Sequence, residues 1–301
     1  MVRLFPALFL LLCGCQSPQA PCPALSPDPV LLGQLQQDVQ ALTDPAMAGR
    51  RTGTPGAILA ATYLQQRLSP LPPWQQDYLH PFQYGPGWAP RQGLNLVAWV
   101  PGPPPYRLVV AHYDHLGRHQ GQIYPGADDN ASGVAVLLAL AHRAHQQPLP
   151  HGVIFAALDA EENGLHGSQA LQQQLAEVPL AWVLNLDMVG RPDRQGHGRL
   201  WWRPGWEQGE AGLAQLQQTA CLRKGPRRMK GARGSSKDSY DPLKASDHYP
   251  FHRAGLPWYY LGVTAHKDYH RTTDKAERLD YPFMTGITEG VWLILSDPDR
   301  D

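Results

Sequence analysis

Four cysteines in 301 residues are too few to staple a disulfide scaffold, so an ordinary apolar core must hold this chain together. Charge of one sign is also missing. Lysine plus arginine and aspartate plus glutamate number 26 each, which argues against nucleic acid or an anionic membrane surface as a partner. No internal repeat and no second domain of comparable size can be traced. The one marked apolar run near the start, Leu4 to Leu12, is too short for a bilayer, which needs ~20 such residues. What is present is a 43% hydrophobic composition, ordinary for a globular protein, with 30 prolines and 29 glycines spread over many turns. Thirteen histidines permit metal or proton chemistry without establishing it.

The N-terminus reads as a targeting segment. Arg3 precedes the apolar run, and Leu12-Cys13-Gly14-Cys15 follows it, resembling a bacterial lipobox. Residues 1–15 are therefore expected to be a signal peptide, with acylation of Cys15 tethering the chain to a membrane surface without spanning it. Ordinary cleavage near Ala20 is the alternative, disfavoured by Pro21. Both readings export the protein, as a periplasmic or cell-envelope lipoprotein or as a secreted chain. Residues 16–30 read as a flexible linker, and 31–298 as one domain. Cys22 and Cys221 could pair in an oxidising compartment, but Cys22 lies in the linker, so pairing is not expected.

Apolar periodicity predicts helices over 31–42, 57–68, 134–144 and 168–176, the last two capped by Ser132 and Ser168. Strands are predicted over 94–100, 107–111, 153–158, 181–186 and 256–263. Alternation of strand and helix implies an α/β layered fold with a largely parallel sheet. Seven basic residues and no acid lie between Arg223 and Lys237. They read as a solvated surface loop, with a substrate-facing or anion-facing role as the alternative.

Chemistry collects at the strand ends. "RLVVAHYDHLG" puts His112 directly after an apolar run, "VIFAALDAEENG" puts Glu161 and Glu162 just past Leu158, and "AWVLNLDMVG" puts Asp187 after Leu186. "GADDNASG" opens a helix, and "DYHRTTD" adds a late histidine. In open parallel sheets functional groups meet beyond the carboxyl ends of the strands. Each residue alone has a bland reading: a structural histidine, a turn aspartate, a solvated glutamate. The ordered set does not. Adjacent carboxylates repel, and a dication or two would offset that repulsion. Imidazole and carboxylate donors with no cysteine among them suit zinc, with cobalt or manganese as substitutes.

Together these motifs resemble the secreted dinuclear zinc aminopeptidases, the bacterial leucyl aminopeptidase and aminopeptidase Y type. "DPAMAGRRTGTPG", "NLVAWVPG", "AHYDHLG", "GADDNASG", "DAEENGLHGS", "NLDMVG", "SDHYPF" and "YHRTTD" follow in that family's order. The resemblance implies a three-layer α/β/α sandwich, a single domain with a central mixed, mostly parallel sheet. It implies two Zn2+ ions, one held by His112 and Asp187, the other by Glu162 and His270, with Asp129 bridging and the Asp129–Asn130 peptide cis. Glu161 is then the general base, Asp114 orients His112 through its far ring nitrogen, and Tyr269 donates to the oxyanion, with a packing role as its alternative. The implied substrate is a peptide with a free N-terminus. A glutaminyl-cyclase-like enzyme, a carboxypeptidase-like enzyme and an inactive tethered binding protein remain alternatives on the same fold. With five ligands placed, His115, His248 and His266 read as structural or surface residues, Asp128 as a turn residue, and Ser246-Asp247-His248 as pocket wall.

Overall fold

The computed structural model describes residues 27–230 and 239–299. The expected signal peptide, Cys15 and most of the linker lie outside the described residues, as does the 231–237 part of the basic stretch. In chain order the elements are α1 (Pro29–Leu42), α2 (Pro55–Leu68), β1 (Leu79–Tyr84), β2 (Arg91–Val100), β3 (Tyr106–His112), the hairpin β4 (Gly117–His119) and β5 (Gln122–Tyr124), and α3 (Gly133–Gln146). Then come β6 (Val153–Leu158), α4 (His166–Gln174), β7 (Leu180–Asp187), β8 (Gly198–Trp202), α5 (Glu207–Thr219) and β9 (Leu222–Lys224). The short pair β10 (Met229–Lys230) and β11 (Ser239–Tyr240), α6 (His248–Arg253), β12 (Trp258–Gly262) and α7 (Tyr281–Leu295) complete the chain.

Eight strands form one mixed sheet in the order β1-β2-β6-β3-β7-β12-β8-β9. Its centre, β6-β3-β7-β12, is parallel throughout, and β2 and β8 flank it antiparallel. All four central strands therefore end at the same edge. From β3 the chain crosses to β6 on one side and then to β7 on the other, so β3 is where the winding reverses. Strands buried on both faces need near-continuous apolar sequence, which β3 and β6 have. Val109, Phe155 and Ala157 pack on one face, Val110, Ile154 and Leu158 on the other, as a side-chain period of two demands. Helices α1, α2, α3, α5 and α7 supply the first core, and α4 and α6 cover the second. This is the expected three-layer sandwich in one domain.

Some expectations fail locally. Helix α1 starts at Pro29, two residues inside the expected linker, because Asp28 caps it by accepting from Val30 N. Ser132 precedes α3 but makes no capping bond; its hydroxyl donates to Asp128 O and accepts from Val189 N. Ser168 lies inside α4, not ahead of it, and donates to Leu165 O. Cys221 is disulfide-bonded, against expectation, and the other three cysteines lie outside the described residues.

Candidate metal centre

The edge where β6, β3, β7 and β12 end carries the predicted donors. His112 and Asp187 are the last residues of β3 and β7. Glu161 and Glu162 follow β6 through a turn in which Ala160 has a positive φ of 58°. Asp129 lies in the irregular turn ahead of α3, where the Asp129–Asn130 peptide is cis as expected. His270 comes from the loop after β12. These six, with Met188, Ala245, Tyr260 and Tyr269, line a cleft of about 30 Å³. That is room for about two water-sized spheres, enough for two ions.

The distances are those of ligands around shared points. His112 Nε2 lies 3.4 Å from Asp129 Oδ1 and 3.6 Å from Asp187 Oδ1. On the other side of the same carboxylate, His270 Nε2 lies 3.0 Å from Asp129 Oδ2 and 3.4 Å from Glu162 Oε1. Asp129 thus faces both groups, one oxygen to each. Ligand atoms of His112, Glu161 and Asp187 fall within 4.8 Å of one another, and so do those of His115, Asp129 and Glu162. Asp129 Oδ2, Glu162 Oε1 and both His115 ring nitrogens are buried without a hydrogen-bond partner among the described residues. Buried polar atoms in a folded protein are nearly always paired. Unpaired donors of this chemistry, converging on small gaps, fit zinc.

Electrostatics point the same way. Burial alone would push His270 down, but Asp129 and Glu162 raise it to about 10. Burial likewise opposes protonation of His112, yet Glu161, with Asp114, Asp129 and Asp187, holds it well above its ordinary value. Without a cation, imidazole protons supply the positive charge that the acids require. Burial and Asp129 would raise the Glu162 carboxyl, but His115 and His270 hold it down to about 2. Glu161 goes the other way. Burial pushes it well above the carboxylate range, His112 opposes this, and Glu162, Asp247 and Asp187 reinforce it.

The surroundings refine one residue reading and correct two. Asp114 faces His112 Nδ1 with its carboxylate at 3.7 Å, and its backbone carbonyl lies nearer, at 3.2 Å. The carboxylate also holds the backbone, accepting from Glu161 N at 3.0 Å and Glu162 N at 3.3 Å. Asp128 is no mere turn residue. Fully buried, it accepts from Gly190 N at 2.7 Å and pairs with His266 Nε2 at 2.9 Å. His115, assigned a structural or surface role, faces the donors of the second group, with Nδ1 2.9 Å from Glu162 Oε1. His266 and His248 are structural as expected: His266 braces Asp128, and His248 stacks on Tyr260 with burial pressing its imidazole down to about 3.

Two further residues, Arg50 and Asp274, were not singled out, and a third, Asp247, was read only as pocket wall. Arg50 is fully buried and donates to the carbonyls of Tyr113, Leu42, Pro125 and Gly126, clamping both donor-bearing loops. Asp274 accepts from Asp128 N and Asp129 N, fixing the turn that aims Asp129. Asp247, also buried, is pushed up to about 7 chiefly by that burial and adds its charge to the field at Glu161. No local pattern marks these three, since each acts on partners distant in sequence. The only clue was their position inside or beside the motifs.

Comparison with known proteins agrees with the geometry. The uncharacterized protein YfbL of Escherichia coli is 31% identical over 229 residues, 67% of this chain and 70% of that one. Aminopeptidase YwaD of Bacillus subtilis is 31% identical over 157 residues, 49% of this chain and 30% of that protein. A probable zinc metalloprotease of Pyrenophora tritici-repentis is 46% identical over 106 residues, 32% of this chain and 24% of that one. The chain thus spans less than a third of the length of the latter two. Among solved structures, LapB of Legionella pneumophila superposes with a TM-score of 0.68 at 22% identity, covering 87% of this chain and 70% of that one. Porphyromonas gingivalis glutaminyl cyclase gives 0.68 at 19%, covering 87% and 96%. At such identities the two show the fold alone. Residues 95–295 match the model of Peptidase family M28, and the chain belongs to that family.

Proposed function

We propose that this protein is a zinc-dependent aminopeptidase that removes N-terminal residues from peptides, with two zinc ions at the centre and Glu161 as general base. One observation carries the reading: Asp129 presents its two oxygens to two separate donor groups, His112 with Asp187 and Glu162 with His270. Bound zinc acts as a Lewis acid and lowers the pKa of its water towards ~7. Cobalt or manganese would serve the same donors.

The chain's own residues do the rest. Glu162 Oε1 lies 3.4 Å from His270 Nε2 and 2.9 Å from His115 Nδ1, the position of a ligand, which leaves its neighbour Glu161 as the base. Glu162 stays anionic and holds its site. Glu161 takes a proton from the attacking water and returns it to the leaving amine. Asp114 locks the backbone amides of both glutamates, which fixes the base relative to the ligand. Tyr269 stacks on His270 with ring centroids 3.9 Å apart, and burial raises its hydroxyl, so it stays protonated and able to donate to an oxyanion. A free α-amine is drawn to the carboxylates lining the cleft. The family relationship and YwaD's name support the same activity. Export, with Cys15 as a lipid anchor in the cell envelope, is part of this proposal, and the disulfide at Cys221 favours an oxidising compartment.

Replacing Glu161 with alanine tests the assignment. Zinc content is expected to stay near two per chain while kcat falls roughly 10²- to 10⁴-fold. Wild-type turnover in that variant would remove Glu161 from the mechanism. The glutaminyl cyclase fold supports a second reading. Incubation with peptides bearing N-terminal glutamine separates the two: release of free glutamine supports the peptidase, and release of ammonia with a blocked product supports the cyclase.

A further inference from the structure

His115 is the best-buried side chain at the centre without an assigned task. It is 1% exposed, and neither ring nitrogen has a hydrogen-bond partner among the described residues. Its Nδ1 lies 2.9 Å from Glu162 Oε1 and 3.8 Å from Asp129 Oδ2, yet those oxygens are unpartnered too. These atoms therefore converge without a hydrogen bond between them among the described residues, as ligands around one ion do. Two ligands on one zinc lie up to about 4.2 Å apart, twice a bond of ~2.1 Å, so these separations suit one coordination sphere.

The ring is also seated deliberately. Gly126, at φ +60°, leaves space that any Cβ would take: a methyl there would meet His115 Cγ at 2.5 Å. His270 differs in this respect. It approaches the same two oxygens from a loop, with 35% of its side chain exposed. The second site therefore has one imidazole built into its wall and one at its mouth.

We propose that His115 is a further ligand of the metal site formed by Asp129, Glu162 and His270. This rests on the metal-dependent reading above. It makes the centre asymmetric: the Glu162 site has two imidazoles and two carboxylates within reach, and the opposite site one imidazole with its carboxylates. The Glu162 site should fill first and empty last.

The test is zinc titration of the full chain in chelator-buffered solution, with wild type, His115→Ala, His270→Ala and the double variant. Cobalt absorption spectra and melting of the metal-free proteins are recorded alongside. Wild type is expected to bind zinc in two steps. His115→Ala should weaken the tighter step by about 10- to 100-fold and alter the cobalt spectrum. The metal-free melting temperature should stay unchanged or rise, because a buried unpaired imidazole has gone. His270→Ala should keep its second ion, and the double variant should bind one. Titrations and spectra of His115→Ala that superimpose on wild type would overturn the proposal while leaving the peptidase reading intact. So would an equal loss of melting temperature with and without zinc, the mark of a packing role. A wild type that binds no zinc would overturn both.

Discussion

Asp128 and Asp129 are neighbours in one turn, equally buried, and the fold treats them in opposite ways. Every face of Asp128 is engaged by protein: Gly190 N, Ser132 Oγ and His266 Nε2. Asp129 Oδ2 has no hydrogen-bond partner among the described residues, and His270 Nε2 faces it at 3.0 Å. The same division separates two regions of the molecule. Around Asp268 lies a satisfied network in which Arg191, Arg278 and Thr273 engage its carboxylate, held down to about 2 despite burial. The donor cluster is the unsatisfied one. A carboxylate completed by protein holds a shape, and one left incomplete holds something the protein does not supply. The first region exists to aim the second, through Asp274 and the turn at 127–132.

The sharpest break of this comparison is to exchange single atoms at the two aspartates. Asp129→Asn removes the shared ligand charge, so zinc retention and peptidase activity should both be lost, with the metal-free melting temperature falling only modestly as the His270 proton loses one of its two carboxylates. Asp114→Asn should follow in size. Its carboxylate touches no donor atom directly but holds the amides behind two of them, and outer partners of this kind are worth about 10- to 100-fold in affinity or activity. Asp128→Asn should act differently in kind. Zinc stoichiometry should survive, while the weakened contacts to Gly190 and His266 lower stability by about 1–3 kcal/mol. At roughly 2–4 °C per kcal/mol for a chain of this size, the loss is readable by calorimetry. If Asp128→Asn emptied the site and Asp129→Asn only softened the fold, the division would be reversed.

Much of this was legible in the sequence, and the physical reason is local. Strands β3, β6 and β7 are short apolar runs, and a polar residue at such a run's end has to sit at the sheet's edge. That places His112, Glu161, Glu162 and Asp187 together once the strands are taken as parallel neighbours. What escaped depends on distant partners. Ser132 looks like a helix cap, yet its hydroxyl is taken by Asp128 and Val189, the latter 57 residues away. Arg50 reads as one basic residue among several, but its carbonyl partners are up to 76 positions distant. Helix α7 escaped for a different reason: it is strongly apolar and buried along most of its length, and a buried apolar run does not by its pattern alone distinguish helix from strand. His115 was passed over because five ligands already completed a two-metal set, and the burial that distinguishes it from a surface histidine is invisible in sequence.

The smallest effect expected is a pH dependence that differs between the two regions. In the metal-free protein His270 is raised from 6.5 to about 10, so between those values the folded state keeps a proton that the unfolded state has lost. Stability falls with rising pH wherever the folded state binds more protons. The His270 contribution is therefore fully present below pH 6.5 and disappears as pH climbs through 10. With a third of the side chain exposed, solvent screening keeps the effect modest. Asp268 has the opposite sign. Held down from 3.8 to about 2, it contributes stability above pH 3.8 that is lost as pH falls through 2. Urea unfolding of the metal-free protein from pH 6 to 10, set beside His270→Ala, isolates the first contribution: the two curves should converge as pH rises. Parallel curves would mean that His270 carries no folded-state proton. Zinc should reverse the trend, since ligands must shed protons to bind it, and the loaded protein should gain stability over the range in which the empty one loses it.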